Sequence, residues 1–305
     1  MDKLRNKKRR RHTPDQYALW ILLAPAFIYA AIFFYGPMYG LQIAFRNYLP
    51  NLGIWNSAWV GLRWFEKILT YYQLWEMIRN TLFITIYNLL LFPLPIIVAV
   101  LLNEVRSTKF KKTIQMISYM PHFLSTVVMC GMVLLFLDLN GGLFNNVRAL
   151  LGKEPIYYMG TGYLFPHIYI WSGVWQEIGW SMIIYVAALA GVSMEIVEAA
   201  IIDGANRVQI IRHVNIPAIL PTVIITFILS TGHLLSIGFD KVYLLQTDLN
   251  LDYSMVIATY TYRVGMNEAQ YSYSSAIGLF NTVVNLMLLC IVNVISKRTS
   301  GISVI

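Results

Sequence analysis

The chain has 305 residues, 57% of them hydrophobic and only 12% charged. Soluble domains carry about 25% charged residues, so composition excludes a soluble globular protein and indicates an integral membrane protein. The formal net charge of +8 reflects how basic residues are distributed along the chain and says little about a substrate.

The first stretch, residues 1–16, is a basic tail holding Lys3, Arg5, Lys7, Lys8, Arg9, Arg10 and Arg11. In isolation such a cluster suits nucleic acid or acidic lipid. Placed directly before a long apolar run, it reads as a topological anchor held in the cytoplasm, with no nucleic-acid partner. The apolar run from Tyr17 to Tyr35 is too long for a secretory signal, and no small-residue cleavage site follows it.

Hydropathy predicts an all-α membrane protein with six transmembrane helices, near residues 19–41, 82–102, 114–137, 163–192, 218–237 and 276–295. About 20 residues cross the hydrocarbon core, so each is long enough. The fourth is longer than the core requires, so part of it tilts or lies in the interface. Pro25, Pro93, Pro95, Pro121, Pro166 and Pro221 are expected to kink or unwind these helices. Lipid tolerates such breaks where neighbouring protein re-satisfies the freed backbone groups, which suits a bundle lining a cavity. Residues 17–298 thus form one transmembrane domain, with a short tail at 299–305. Cys130 and Cys290 lie inside apolar runs and read as small core residues rather than a disulfide or metal pair.

Between the fourth and fifth spans lies a polar stretch, residues 195–221. Glu195 and Glu198 complement the dipole at the start of a short helix, and Ala199 and Ala200 are strong helix formers. Gly204 can adopt a positive φ and end that helix. A second short helix, from Asn206 to His213, is expected to stop before Pro217. The product is a helix–turn–helix elbow over residues 195–217. With the N-terminus inside, the cytoplasmic segments hold fifteen of the 23 lysines and arginines and the outer loops eight, although the outer loops are longer. Both termini and the elbow are therefore expected in the cytoplasm.

Glu198-Ala199-Ala200, then Asp203-Gly204-Ala205, then Val214-Asn215-Ile216-Pro217 with nine residues between Gly204 and Val214, resembles the EAA loop of permease subunits of bacterial binding-protein-dependent ABC importers. Tyr35-Gly36-Pro37-Met38-Tyr39-Gly40, Arg79-Asn80-Thr81-Leu82, Leu102-Asn103-Glu104, Tyr119-Met120-Pro121-His122-Phe123 and the run from Ile237 to Leu245 are similar to the branch that imports complex oligosaccharides. Within the family the chain resembles the larger permease of maltose importers, without that protein's extra N-terminal spans or large external domain. The resemblance implies the type I importer permease fold, multi-pass in the bacterial plasma membrane. It implies pairing with a second homologous permease, two ATP-binding subunits and an extracellular solute-binding protein that delivers an oligosaccharide. It further implies that Glu198, Ala199, Ala200, Asp203, Gly204, Ala205 and Pro217 couple the chain to the ATPase. Glu198 would meet a basic residue there, and Ile201, Ile202, Ile210 and Ile211 would anchor the elbow against the span bases or the ATPase. The outer loops, with Trp55, Trp59, Trp64, Tyr71, Tyr72, Tyr260, Tyr262, Tyr271 and Tyr273, would receive the binding protein or form an interfacial belt.

The sequence contains no Gly-x-x-x-x-Gly-Lys-Ser/Thr loop, so the chain is expected to hold no cofactor, with ATP and Mg on the partner ATPase. His122, His167, His213 and His233 are scattered without ligand spacing and read as hydrogen-bonded structural residues. In the fourth span, Trp171, Trp175, Gln176, Glu177 and Trp180 fall one helical turn apart in pairs. Aromatic faces suit pyranose C–H surfaces, while amides and carboxylates suit sugar hydroxyls. This patch either faces the translocation cavity or forms an aromatic belt at the interface. In the sixth span, Asn281, Asn285 and Asn293 share one helix face, which suits substrate contact or packing against a partner helix. An importer of a non-sugar solute remains an alternative. A secondary transporter fits less well, because Glu177 is the only acid clearly inside a span and no inverted repeat is visible.

Overall fold

In a computed structural model, the described residues are 14–231 and 237–300. Lys3 and the rest of the basic cluster, His233, and residues 301–305 of the expected tail lie outside them. Among the described residues the structure is helical, and the sole β pairing is an isolated bridge between Arg46 and Trp59.

Four helical segments are individually long and apolar enough to cross a membrane: Tyr17–Phe45, Leu74–Asn103, Arg207–Ser230 and Tyr271–Ile291. Two further pairs qualify when joined across a bend, Thr108–Phe123 with Thr126–Phe136 at 103° and Gly162–Ala190 with Met194–Ile202 at 70°. Counting each pair as one span gives six.

Local chemistry explains the breaks. The second span interrupts its ladder at Leu91 and Phe92 because Pro93 starts the next helical piece without an N–H to give. In the third span the bend is far larger than a proline kink. Pro121 sits in a tight 3₁₀ turn, Met120–Phe123, and Ser125 then restarts a helix by accepting a hydrogen bond from the Val128 N–H at 3.3 Å. The middle of the fourth span holds this bend in place. Gln176 Nε2 donates to the Leu124 carbonyl at 3.1 Å, and a Cβ on Gly179 would come within 2.0 Å of the Ser118 carbonyl oxygen. Only a glycine allows that approach.

Three buried apolar clusters weld the spans together. At the end next to the elbow, Ala99, Val100 and Leu102 of the second span meet Met182, Tyr185 and Leu189 of the fourth and Ile219 of the fifth. At the opposite end, Ile68 and Met77 join Ile257, Tyr260, Val264, Tyr273 and Ile277. Between them, Met129 and Val133 pack with Phe165, Ile170, Val242 and Val256. The first span buries none of its most apolar stretch inside this chain. Its contribution to the core is Ala44, near its end.

One expected boundary is corrected. The second arm of the elbow does not stop before Pro217: Arg207–Ile210 runs through a π-helical turn, Ile211–Asn215, into Ile216–Thr231 without a break. The wide turn makes room for the proline ring, and the Ile216 N–H closes a π-type bond to the Ile211 carbonyl just before the residue that has no donor.

Candidate functional site: a capped elbow and a polar cavity

The elbow is built from two local motifs placed back to back. Gly204 lies at φ +84°, and the Ala205 N–H reaches back to the Ala200 carbonyl at 2.9 Å while the Gly204 N–H bonds the Ile201 carbonyl at 3.0 Å. That is the Schellman pattern, which needs a left-handed residue at the glycine. Asn206 then begins the next helix with a reciprocal capping box: its side chain accepts from the Gln209 N–H at 3.0 Å and its own N–H donates to Gln209 Oε1 at 2.7 Å. The chain therefore reverses over three residues with its exposed backbone groups satisfied.

Between the arms is a cleft of about 300 Å³ lined by Ala200, Asp203, Gly204, Ala205, Gln209, Ile210, His213 and Val214. Glu198, Ala199, Asp203 and Pro217 are exposed, and Ala200 and Ala205 are half-buried. The four isoleucines divide. Ile210 is buried and Ile211 packs on the apolar cluster at the span bases, whereas Ile201 and Ile202 are 57% and 85% exposed. Met194, Ile196 and Val208 are exposed beside them. Behind the elbow, buried Asn215 donates to Glu104 Oε1 at 3.4 Å, tying the arm to the loop after the second span.

The second feature is a cavity of about 640 Å³ walled by the second, third, fourth and fifth spans and the helix Phe239–Leu245. Its lining sets apolar side chains, among them Leu89, Phe92, Val174, Ile178 and Ile184, beside hydroxyls (Thr85, Thr126, Ser181, Thr226, Ser230), amides (Asn88, Gln176), the tyrosines Tyr169 and Tyr185, and two charged groups, Glu177 and Lys241. Tyr185 and Thr226 share a hydrogen bond of 2.9 Å across the fourth and fifth spans. Lys241 Nζ donates to the Tyr169 carbonyl at 2.6 Å and lies 4.6 Å from the centre of the Tyr169 ring. Burial, chiefly, pulls the Lys241 ammonium down to about 8, so at neutral pH it is still charged in most molecules.

Of the fourth-span residues singled out from sequence, Gln176 and Glu177 line this cavity. Gln176 is buried, and Glu177 Oε2 lies 2.9 Å from His122 Nδ1 at the third-span bend. Trp171, Trp175 and Trp180 are 51%, 41% and 49% exposed and are not among the lining residues. Trp171 Nε1 donates to the Tyr87 hydroxyl at 3.0 Å, and Trp180 stacks on His122 with ring centres 4.3 Å apart. Asn281 and Asn285 do not line the cavity either; both stand on the sixth span.

The outer aromatics also divide. Trp64, Tyr71, Tyr260 and Tyr273 belong to the buried cluster at the end opposite the elbow, while Trp55, Trp59 and Tyr72 are largely exposed. Sequence reasoning missed Lys241 as a cavity residue by counting it with the loop cations. The signal was there, a single cation amid the apolar residues Ile237 to Leu245.

A family model described as "Binding-protein-dependent transport system inner membrane component" matches residues 91–301. The polygalacturonan/rhamnogalacturonan transport system permease protein YteP of Bacillus subtilis (strain 168) is 39% identical over 285 residues, covering 93% of this chain and 89% of that protein. Protein LplB of the same organism is 39% identical over 281 residues, covering 92% and 88%. A chain from a crystal structure of a bacterial ABC transporter involved in the import of the acidic polysaccharide alginate superposes with a TM-score of 0.87 at 36% identity, covering 94% of this chain and 97% of that one. A second, from an alginate ABC transporter in complex with an alginate pentasaccharide-bound periplasmic protein, gives 0.88 at 35% identity. The family model spans more than half of the chain, and YteP and LplB match it along nearly their whole length, so this chain belongs to the family of binding-protein-dependent transport system inner membrane components.

Proposed function

We propose that the chain is one membrane-spanning half of an ATP-driven importer that passes oligosaccharides through the cavity between its spans. The observation that carries this is the cavity itself. About 640 Å³ is walled by apolar side chains together with hydroxyls, amides, two tyrosines, one cation and one carboxylate, a chemistry suited to the hydroxyls and the C–H ring faces of a sugar. The relatives' printed names, for polygalacturonan, rhamnogalacturonan and alginate, make uronic-acid oligosaccharides the first substrates to test, and Lys241 supplies a cation for their carboxylates.

In this reading both termini and the elbow face the cytoplasm, as the lysine and arginine bias favours. A second, homologous permease completes the pathway. Two separate ATP-binding subunits hold ATP and Mg, and each permease's elbow docks in one of them. Here the exposed Glu198, Ala199, Asp203, Ile201 and Ile202 form the docking face, with Gly204 setting the bend. An extracellular solute-binding protein loads the glycan from the other side, against exposed aromatics such as Trp55, Trp59 and Tyr72. The chain itself performs no hydrolysis and binds no cofactor.

The test is reconstitution of the chain with its partner permease, ATPase and binding protein in lipid vesicles. Glycan uptake is expected to require ATP and all four components. Solute movement by the chain without an ATPase, or a complete assembly that imports no oligosaccharide, overturns the proposal.

A further inference from the structure

A second groove, of about 650 Å³, lies at the end of the molecule opposite the elbow, between the end of the first span, the segment after Ile257 and the start of the sixth span. Its lining joins the aromatics Phe239, Tyr48, Tyr262 and Tyr271 and the hydroxyls of Thr261, Ser274 and Ser275 to an aliphatic part that includes Ile43, Pro50 and Met266. Two of these hydroxyls are spent on backbone, Thr261 on the Ile257 carbonyl at 2.7 Å and Ser274 on the Thr261 carbonyl at 2.9 Å. Among the described residues, the phenols of Tyr48, Tyr262 and Tyr271 and the Ser275 hydroxyl have no hydrogen-bond partner. Four residues with uncommitted hydroxyls therefore line a groove of aromatic and aliphatic side chains, and none of its lining residues is an acid, lysine, arginine or histidine.

The groove and the central cavity share a wall. The helix Phe239–Leu245 presents Lys241 to the cavity and Phe239 to the groove. Phe239 is braced there by Tyr243, with ring centres 5.3 Å apart, and by Tyr262 at 4.8 Å. Tyr48 and Tyr271 meet edge to face at 6.1 Å. On both sides of this helix the chain thus offers carbohydrate-binding chemistry, with charge on one side and none on the other.

We propose that this groove is a second glycan subsite, which holds the trailing sugars of a chain whose leading sugars occupy the central cavity. This rests on the oligosaccharide reading above. Ring faces take the C–H surface of a pyranose, and the free phenols and Ser275 take its hydroxyls. Because the groove has no charge, it grips neutral and acidic sugars alike, and discrimination by charge falls to Lys241 in the cavity. A glycan too short to pass the shared wall gains nothing from it.

The complete importer in lipid vesicles provides the test. Uptake rates of disaccharides and hexasaccharides, from both a galacturonate and a neutral glucan series, are compared at one fixed concentration of loaded binding protein. Tyr271→Ala is expected to slow hexasaccharide uptake about tenfold, and Tyr262→Phe or Ser275→Ala roughly threefold, the losses of one stacking face and one hydrogen bond. Disaccharide uptake by the same vesicles is expected to stay within about twofold of wild type, which also reports that each variant has folded and assembled. Equal losses at both lengths identify the groove as a protein-docking surface and overturn the proposal, as do unchanged rates at both lengths. A wild-type importer that carries neither series overturns the oligosaccharide reading itself, and the subsite falls with it.

Discussion

Gly204 offers the sharpest test of the elbow, because the cost of replacing it is conformational and nothing else. It sits at φ +84°, and a Cβ built there meets no atom within 4 Å. Crowding contributes nothing, so substitutions should rank by their tolerance of the left-handed region. Asn is mildest, Ala costs about 1 kcal/mol, and Val costs about 2 kcal/mol because its branched Cβ is a poor fit to positive φ. Gly204→Pro differs in kind. Its ring holds φ near −65° and deletes the N–H that bonds the Ile201 carbonyl at 3.0 Å, and the Ala205 to Ala200 bond at 2.9 Å goes with the turn. Two hydrogen bonds at about 1 kcal/mol each, plus the forced dihedral, place the total near 3–4 kcal/mol. The elbow is held by those two backbone bonds and a two-way capping box, which together stabilise it by about the same amount. Asn and Ala should therefore leave it formed, Val should loosen it, and Pro should abolish it.

The assay is solute moved per ATP hydrolysed in vesicles containing the complete importer, with assembly checked by the size of the detergent-extracted complex. Expected coupling runs Gly and Asn highest, then Ala, then Val, with Gly204→Pro hydrolysing ATP without transport while the complex still inserts and assembles. If Gly204→Asn proves as damaging as Gly204→Pro, size rather than φ governs the position. If Gly204→Pro transports normally, the elbow is not the coupling element.

Gly179→Ala should disrupt the third-span bend, since its Cβ would fall 2.0 Å from the Ser118 carbonyl oxygen; overpacking against backbone costs about 1–3 kcal/mol, read as a lower thermal midpoint of the purified complex. Asn80→Leu removes donors to the Asp252 and Met255 carbonyls at 2.9 and 3.1 Å, about 2–3 kcal/mol, and should lower the same midpoint even though the leucine adds apolar surface. Lys241→Met should slow import of galacturonate oligosaccharides about tenfold and leave neutral ones unaffected. The Lys241 ammonium is charged below about 8 and discharges as pH rises through it, so acidic-glycan import should fall between neutral pH and pH 9, and Lys241→Arg, charged throughout, should remove that dependence.

What the sequence revealed follows the range over which its physics acts. The elbow was legible because a Schellman turn and its glycine are decided within six residues, and the spans because hydropathy acts through length alone. Longer-range contacts were not. Pro121 marks a break in the third span, but the 103° angle is set by Gln176 and Gly179 on another helix. The tryptophans at one-turn spacing share the fourth span with Gln176, yet that helix spreads apolar residues over every side, so periodicity has no preferred face from which to choose the cavity side. At Pro217 the rule that helices end before proline yielded to a single π turn, a local adjustment that leaves little trace in residue types. Lys241 was hidden because a lone cation outside the longest apolar runs reads as a loop residue until a neighbouring helix is packed over it.

The elbow's place in the bundle gives the proposed coupling a mechanical basis. Its first arm leaves the fourth span across the 70° bend, and its second arm continues into the fifth as one helix. These two spans also face each other across the cavity, where Tyr185 and Thr226 bond at 2.9 Å. From Asn206 to Ser230 the second arm and its span reach about 36 Å at 1.5 Å per residue, so a tilt imposed at the elbow is delivered to Thr226 and Ser230 on the cavity wall. The π turn and Pro221 are the compliant points along that rod. The Asn215 to Glu104 bond braces it against the loop after the second span. A motor gripping Glu198 and Ile202 on one arm would therefore load both helices at once, and the Tyr185–Thr226 contact is the first cavity bond such a load would strain. If the lever is real, Thr226→Val should change the ratio of ATP hydrolysed to solute moved without altering ATPase docking. A variant with unchanged coupling would show that the load passes elsewhere.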